Sequence, residues 1–138
     1  MSSDQATGTA AFATLSEADW AARLTPEQFH VLREHGTERA GTSKLNAEKR
    51  PGRFLCAGCG TVLFDSATKY ESGSGWPSFY QPLQGAVATT EDRKFGMRRV
   101  EVHCATCQGH LGHVFPDGPR PTGQRYCMNG VALKFDPA

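Results

Sequence analysis

The stretch Arg98–Phe115, "RRVEVHCATCQGHLGHVF", decides the fold class. In "RRVEVHC", Val100, Val102 and Cys104 share one face of a strand, and Arg99, Glu101 and His103 share the other. "CATCQG" then makes a tight turn between two cysteines, and "LGHVF" is a second short apolar run. Working outward, the same punctuation repeats. "RFLC", "TVLF", "SFYQP" and "AVATT" precede this stretch, and "RYCMN", running on into "VALKF", follows it. Gly, Pro, Asp and Ser separate these runs, as expected of strands joined by turns. With 15 glycines and 8 prolines among 138 residues, turns outnumber long helices. The body is predicted to be mainly β and antiparallel.

Only the N-terminal part reads differently. Residues 1–14 are small, polar and aperiodic, and predict a disordered tail. "SEADWAARL" predicts a short helix capped by Ser16. "TPEQFHVLREHG" predicts a second, with Thr25 as N-cap, Pro26 in the first turn, Gln28 closing a capping box and Gly36 as the stop. Phe29 and Leu32 are its expected core contacts. The chain is thus expected to be a tail (1–14) and one domain (15–138) with a small helical cap.

Charge narrows the function classes. Fifteen basic residues nearly cancel fourteen acidic ones, for a net charge of +1, so no strong field favours nucleic acid. The one basic run, "RKFGMRR" (Arg93–Arg99), reads better as a solvated hairpin than as a phosphate site. No apolar run approaches the roughly 20 residues of a membrane span. The N-terminus lacks a basic segment followed by an apolar one, so a cytoplasmic protein is expected.

Four of the five cysteines form two pairs, "CAGCG" (Cys56, Cys59) and "CATCQG" (Cys104, Cys107). Two such turns supply four thiolates to one tetrahedral zinc. Iron is an alternative occupant in a recombinant sample. A thioredoxin-like redox pair is the competing reading, but that motif opens a helix in a βαβ unit, and neither pair has such a setting.

That leaves Cys127. In "QRYCMN", alternation puts Arg125, Cys127 and Asn129 on one face, with Tyr126 and Met128 on the other. A guanidinium two residues away favours a thiolate, and Asn129 offers hydrogen bonds. The competing reading is a buried structural cysteine. Upstream, "GHLGHVFPDGP" carries His110, His113 and Asp117. A regular strand puts the two histidines on opposite faces, and a bulge at Gly112 would turn both toward one site. Metal binding by the pair is a competing reading, but it lacks a third ligand at helical or hairpin spacing.

Together "GTE" (Gly36–Glu38), "CAGCG", "LF" (Leu63, Phe64), "SGSGWPSF" (Ser72–Phe79), "HCATCQGHLGHVFPDGP" (His103–Pro119) and "RYCMNG" (Arg125–Gly130) resemble the methionine sulfoxide reductase B family. The resemblance implies two antiparallel β-sheets around a core, with a structural zinc away from the active site. It implies that Cys127 attacks the sulfur of methionine-R-sulfoxide, free or protein-bound, and becomes a sulfenic acid. His110 and His113 match its proton-handling histidines. Asp117 and Arg125 match residues that tune the cysteine, and Asn129 one that holds substrate or water. Trp76 matches the indole that packs on the substrate methyl. Reduction by thioredoxin or another thiol is implied, and a monomer is expected.

The chain departs from the family pattern at Ser74, where many relatives carry a resolving cysteine; no recycling disulfide is expected there. Gly130 replaces a frequent serine, and is expected to loosen that position. The stretch "RAGTSKLNAEKRPG" lacks aromatics that many relatives carry. Two readings compete with the enzyme: a non-catalytic zinc-ribbon binding module, and a redox sensor using Cys127 without turnover.

Overall fold

The computed structural model describes residues 15–94 and 97–138. The expected tail, residues 1–14, lies outside the described residues. Among the described residues, two short helices, α1 (Glu17–Arg23) and α2 (Pro26–Glu34), lead into nine strands. These are β1 (Gly52–Cys56), β2 (Val62–Asp65), β3 (Lys69–Tyr70), β4 (Ser78–Phe79), β5 (Val87–Lys94), β6 (Met97–Cys104), β7 (His110–Phe115), β8 (Arg125–Met128) and β9 (Leu133–Pro137).

They form two antiparallel sheets, ordered β2-β1-β9 and β3-β4-β8-β7-β6-β5. Aromatic side chains from both sheets meet in the core. Phe64 of β2 stacks on Phe79 of β4 with centroids 4.2 Å apart, and Phe54 of β1 meets Phe79 edge-on at 5.0 Å. All three are fully buried, a gain of roughly 1.5–3 kcal/mol each.

Both helices start as predicted. Thr25 and Gln28 form the expected capping box, and Ser16 forms one with Asp19. The stop differs: His35 (φ 58°), not Gly36, takes the left-handed position. A Cβ at Gly36 would meet the exposed His30 ring, which would have to swing aside. Leu32 is buried as expected, with Val31, whereas Phe29 is only partly covered.

The helices clamp the cysteine turns. Arg33 Nη1 donates to the Cys107 carbonyl at 2.9 Å, and Arg23 Nη2 to the Gly58 carbonyl at 3.1 Å. The buried Trp20 ring lies under the Arg33 guanidinium, 4.5 Å from its centroid. A Cβ at Gly58 would sit 3.4 Å from Trp20, and one at Gly109 only 2.8 Å from Leu32, so these glycines let the cap approach.

One expected strand is two. "RYCMN" does not run on into "VALKF": Gly130–Ala132 makes a 3-10 turn, and β8 and β9 belong to different sheets. The chain crosses between sheets at this turn. "SFYQP" pairs only over Ser78–Phe79.

Candidate active site and metal centre

A cavity of about 350 Å³ opens over β7 and β8. Thr37, Ser74, Trp76, Arg99, His113, Phe115, Arg125, Cys127 and Asn129 are among its lining residues. The predicted face of β8 therefore points into it. Of the predicted histidines only His113 lines the cavity; His113 is the cross-strand partner of Cys127.

The expected bulge exists, one residue from where it was placed. Between β6 and β7, Val102 pairs with Gly112 and His103 with His110, so Leu111 is the extra residue. This insertion reverses the alternation and brings the His110 and His113 rings to 5.5 Å. Gly112 is required beside it, because a Cβ there would strike the Cys127 carbonyl and Met128.

His110 is 3% exposed, and burial holds its pKa below the ordinary imidazole value despite the Glu101 carboxylate beside it. Asp117 is at the surface, 64% exposed, outside the cavity lining. It accepts from Arg125 Nε at 2.9 Å and Nη2 at 3.3 Å, and that guanidinium pulls its carboxyl below the usual range. The pair fixes Arg125, which also lies over Phe115.

Cys127 is half-buried, and burial raises its pKa more than the Ser74 hydroxyl and the Arg125 guanidinium lower it. The sequence expectation of a depressed pKa therefore does not hold, because desolvation outweighs one nearby cation. Alkylation of Cys127 followed against pH is expected to give a midpoint above that of an ordinary thiol, about 8.5. Arg125→Ala is expected to move it higher still.

Ser74 Oγ lies 3.8 Å from Cys127 Sγ. It belongs to a hydroxyl cluster, with Ser72 Oγ 2.8 Å from Ser74 Oγ and 2.7 Å from Ser78 Oγ. Buried Ser78 is the cross-strand partner of Cys127 on β4. Nothing in the strand pattern alone announced this cluster.

Asn129 is buried and largely committed. Its Oδ1 accepts from the Glu38 N–H at 2.8 Å, and its Nδ2 donates to the Leu111 carbonyl at 3.0 Å. Glu38, the acid of "GTE", accepts from the Gly130 and Val131 N–H groups at 2.8 and 2.9 Å, and its carbonyl takes the Trp76 Nε1–H at 3.0 Å. One residue thus anchors both the crossover turn and the cavity indole.

Gly130 makes room at this turn. A Cβ there would collide with the Ser43 hydroxyl, so glycine makes room for Ser43. Gly130→Ser is expected to cost roughly 1–3 kcal/mol, as overpacking does. Adding Ser43→Gly should recover most of it. Thermal melts of the single and double variants check this coupling.

The four paired cysteines converge, their Sγ atoms all within 4.8 Å of one another. Both turns have the same build. The Gly60 N–H bonds to the Cys56 carbonyl at 2.8 Å, and the Gln108 N–H to the Cys104 carbonyl at 3.0 Å. Gly60 (φ 82°) and Gln108 (φ 68°) take the same left-handed position. Cys59 and Cys104 sulfurs are 3.6 Å apart, and Cys56 and Cys107 sulfurs 3.7 Å. A tetrahedron with metal–sulfur bonds of about 2.3 Å has edges of about 3.8 Å, so the spacing fits four sulfurs around one ion. None of these cysteines lines the Cys127 cavity.

Comparison with known proteins matches this architecture. A family model described as the SelR domain fits residues 24–137. The peptide methionine sulfoxide reductase MsrB of Leptospira interrogans is 58% identical over 121 residues, 87% of this chain and 92% of the relative. That of Methanosarcina mazei is 55% identical over 121 residues, 87% of this chain and 86% of the relative. Peptide methionine sulfoxide reductase B1, chloroplastic, of Arabidopsis thaliana is 56% identical over 126 residues, 91% of this chain and 62% of the relative. Among solved structures, the Mis18 "Yippee-like" domain superposes with a TM-score of 0.52 at 18% identity, covering 64% of this chain and 98% of that one, a likeness of fold alone. With identity above one half sustained over most of its length, and with the family model spanning α2 and both sheets, the chain belongs to the MsrB family of peptide methionine sulfoxide reductases.

Proposed function

We propose that this protein reduces methionine-R-sulfoxide, free or in peptides, through Cys127. The carrying observation is the placement of that thiol. It lies in a cavity that also holds Trp76, His113 and Arg125, clear of the metal-ligand cysteines. The thiol sulfur attacks the sulfoxide sulfur, and the sulfoxide oxygen passes to Cys127. The products are methionine and the Cys127 sulfenic acid, and the thiol proton ends on the sulfenic oxygen. Two external thiols then return Cys127 to its thiol, forming one disulfide and one water.

The cavity residues divide this work. Trp76 and Phe115 give an apolar wall suited to the substrate's methyl and methylene groups. His113 faces Cys127 across the strand pair and handles the proton on the sulfoxide oxygen; help of this kind is worth roughly 10²–10⁴-fold. Arg125, held by Asp117, favours the thiolate. Asn129 retains one amide N–H for substrate or water after its two structural bonds. His110 supports His113 from behind.

Zinc suits the four-sulfur centre, which joins the β1–β2 turn to the β6–β7 turn. When bound it supplies structure and no chemistry at Cys127. Recycling uses thioredoxin or another thiol directly, because a serine stands 3.8 Å from Cys127 where a partner thiol would be needed.

A single-turnover experiment tests both parts. Reduced, zinc-loaded protein mixed with one equivalent of peptide methionine-R-sulfoxide is expected to yield methionine and a Cys127 sulfenic acid trapped by dimedone. A disulfide from Cys127 to any metal-ligand cysteine would overturn the recycling route. Failure to turn over with dithiothreitol would overturn the reductase reading in favour of a binding module.

A further inference from the structure

A second cavity adjoins the first, sharing Thr37, Arg99 and His113 with it. Here Glu101 Oε2 lies 2.6 Å from His110 Nδ1 and 2.9 Å from His35 Nδ1. Sequence spacing concealed this trio, because His35 ends α2 while the other two lie on β6 and β7.

The trio fixes a chemical state. Burial favours the neutral form of His110, which carries one ring proton. An ionised carboxylate only accepts, so the short contact places that proton on Nδ1. Nε2 is then a bare acceptor. It is buried and has no hydrogen-bond partner among the described residues. The Leu111 bulge sets this ring beside His113, which lines the Cys127 cavity.

We propose that Glu101 is the positioning residue of the proton-handling histidines, holding His110 in the Nδ1–H tautomer, with His35 steadying the carboxylate from the solvent side. A proton arriving at Nε2 makes an imidazolium whose charge Glu101 balances. His110 therefore rests as an acceptor behind His113. The three donor atoms also have metal-ligand spacing. However, the shared oxygen already lies at hydrogen-bond distance from both imidazoles.

The kinetic part of this inference rests on the proposed reductase activity; the tautomer does not. Nitrogen-resolved NMR of the imidazole rings in the zinc-loaded protein is expected to show His110 protonated at Nδ1. Glu101→Gln should lose that fixed pattern. It should also lower kcat for methionine-R-sulfoxide by roughly 10–100-fold at little-changed KM, with partial recovery in Glu101→Asp. His35→Gly should lower kcat less, in the same direction. A wild-type His110 protonated at Nε2, or a folded Glu101→Gln protein with wild-type kcat, would overturn the proposal. So would added zinc that displaced the Nδ1 proton. A wild-type protein with no turnover would sink the reductase reading instead, and the tautomer measurement would still decide the Glu101–His110 assignment.

Discussion

Exchanging Cys104 for serine is expected to unfold the protein, and so is chelating the metal that the four sulfurs are proposed to hold. Cys104 ends β6 and is fully buried. Its sulfur faces that of Cys59 in the turn between β1 and β2, so the centre links the two sheets where no strand pairing does. The magnitudes decide the outcome. A structural zinc of this type contributes apparent free energies of about 10–16 kcal/mol. The net stability of a domain is only about 5–15 kcal/mol. Loss of a ligand therefore removes as much as the whole fold has to spare. Circular dichroism and thermal melts, paired with metal analysis, check this. A metal-free Cys104→Ser protein that still melted cooperatively near the wild-type temperature would contradict it.

Cys127→Ser is expected to fold normally and to lose sulfoxide reduction by at least about 10³-fold, the scale seen when a nucleophile is removed. A serine hydroxyl cannot take up the sulfoxide oxygen as a stable sulfenic acid. No other thiol lines the cavity. The four remaining cysteine sulfurs are gathered in one cluster away from it. Substrate affinity should survive, since Trp76 is fixed by Glu38 and not by Cys127. Methionine release measured by chromatography, together with a binding isotherm, separates the two effects. Turnover above background in this variant would remove Cys127 from the proposed chemistry.

Much of this was legible because it is local. Caps act within a turn, so Ser16, Thr25 and Gln28 announced the helix starts. Alternation acts within a strand, so the faces of β6 and β8 could be read. Two C-x-x-C turns announced a four-sulfur centre. Interactions between distant segments were not legible. Glu101 meets His35 across 66 positions of chain, and Glu38 reaches Gly130 across 92. The crossover after β8 was marked only by Asn129-Gly130, a turn dipeptide outweighed by the apolar runs on either side. The thiol of Cys127 went the other way from expectation because desolvation depends on packing that alternation does not measure.

The helical cap has an optical consequence. The chain has two tryptophans. Trp20 is buried against the first cysteine turn, where it packs over Gly58, and Trp76 lines the Cys127 cavity. Each indole is thus stationed at one of the two chemistries. The emission of Trp20 should redshift when the metal leaves, and that of Trp76 should change when a substrate fills the cavity. A pair of single-tryptophan proteins, Trp20→Phe and Trp76→Phe, would let metal loading and substrate binding be followed separately, in real time and without labels.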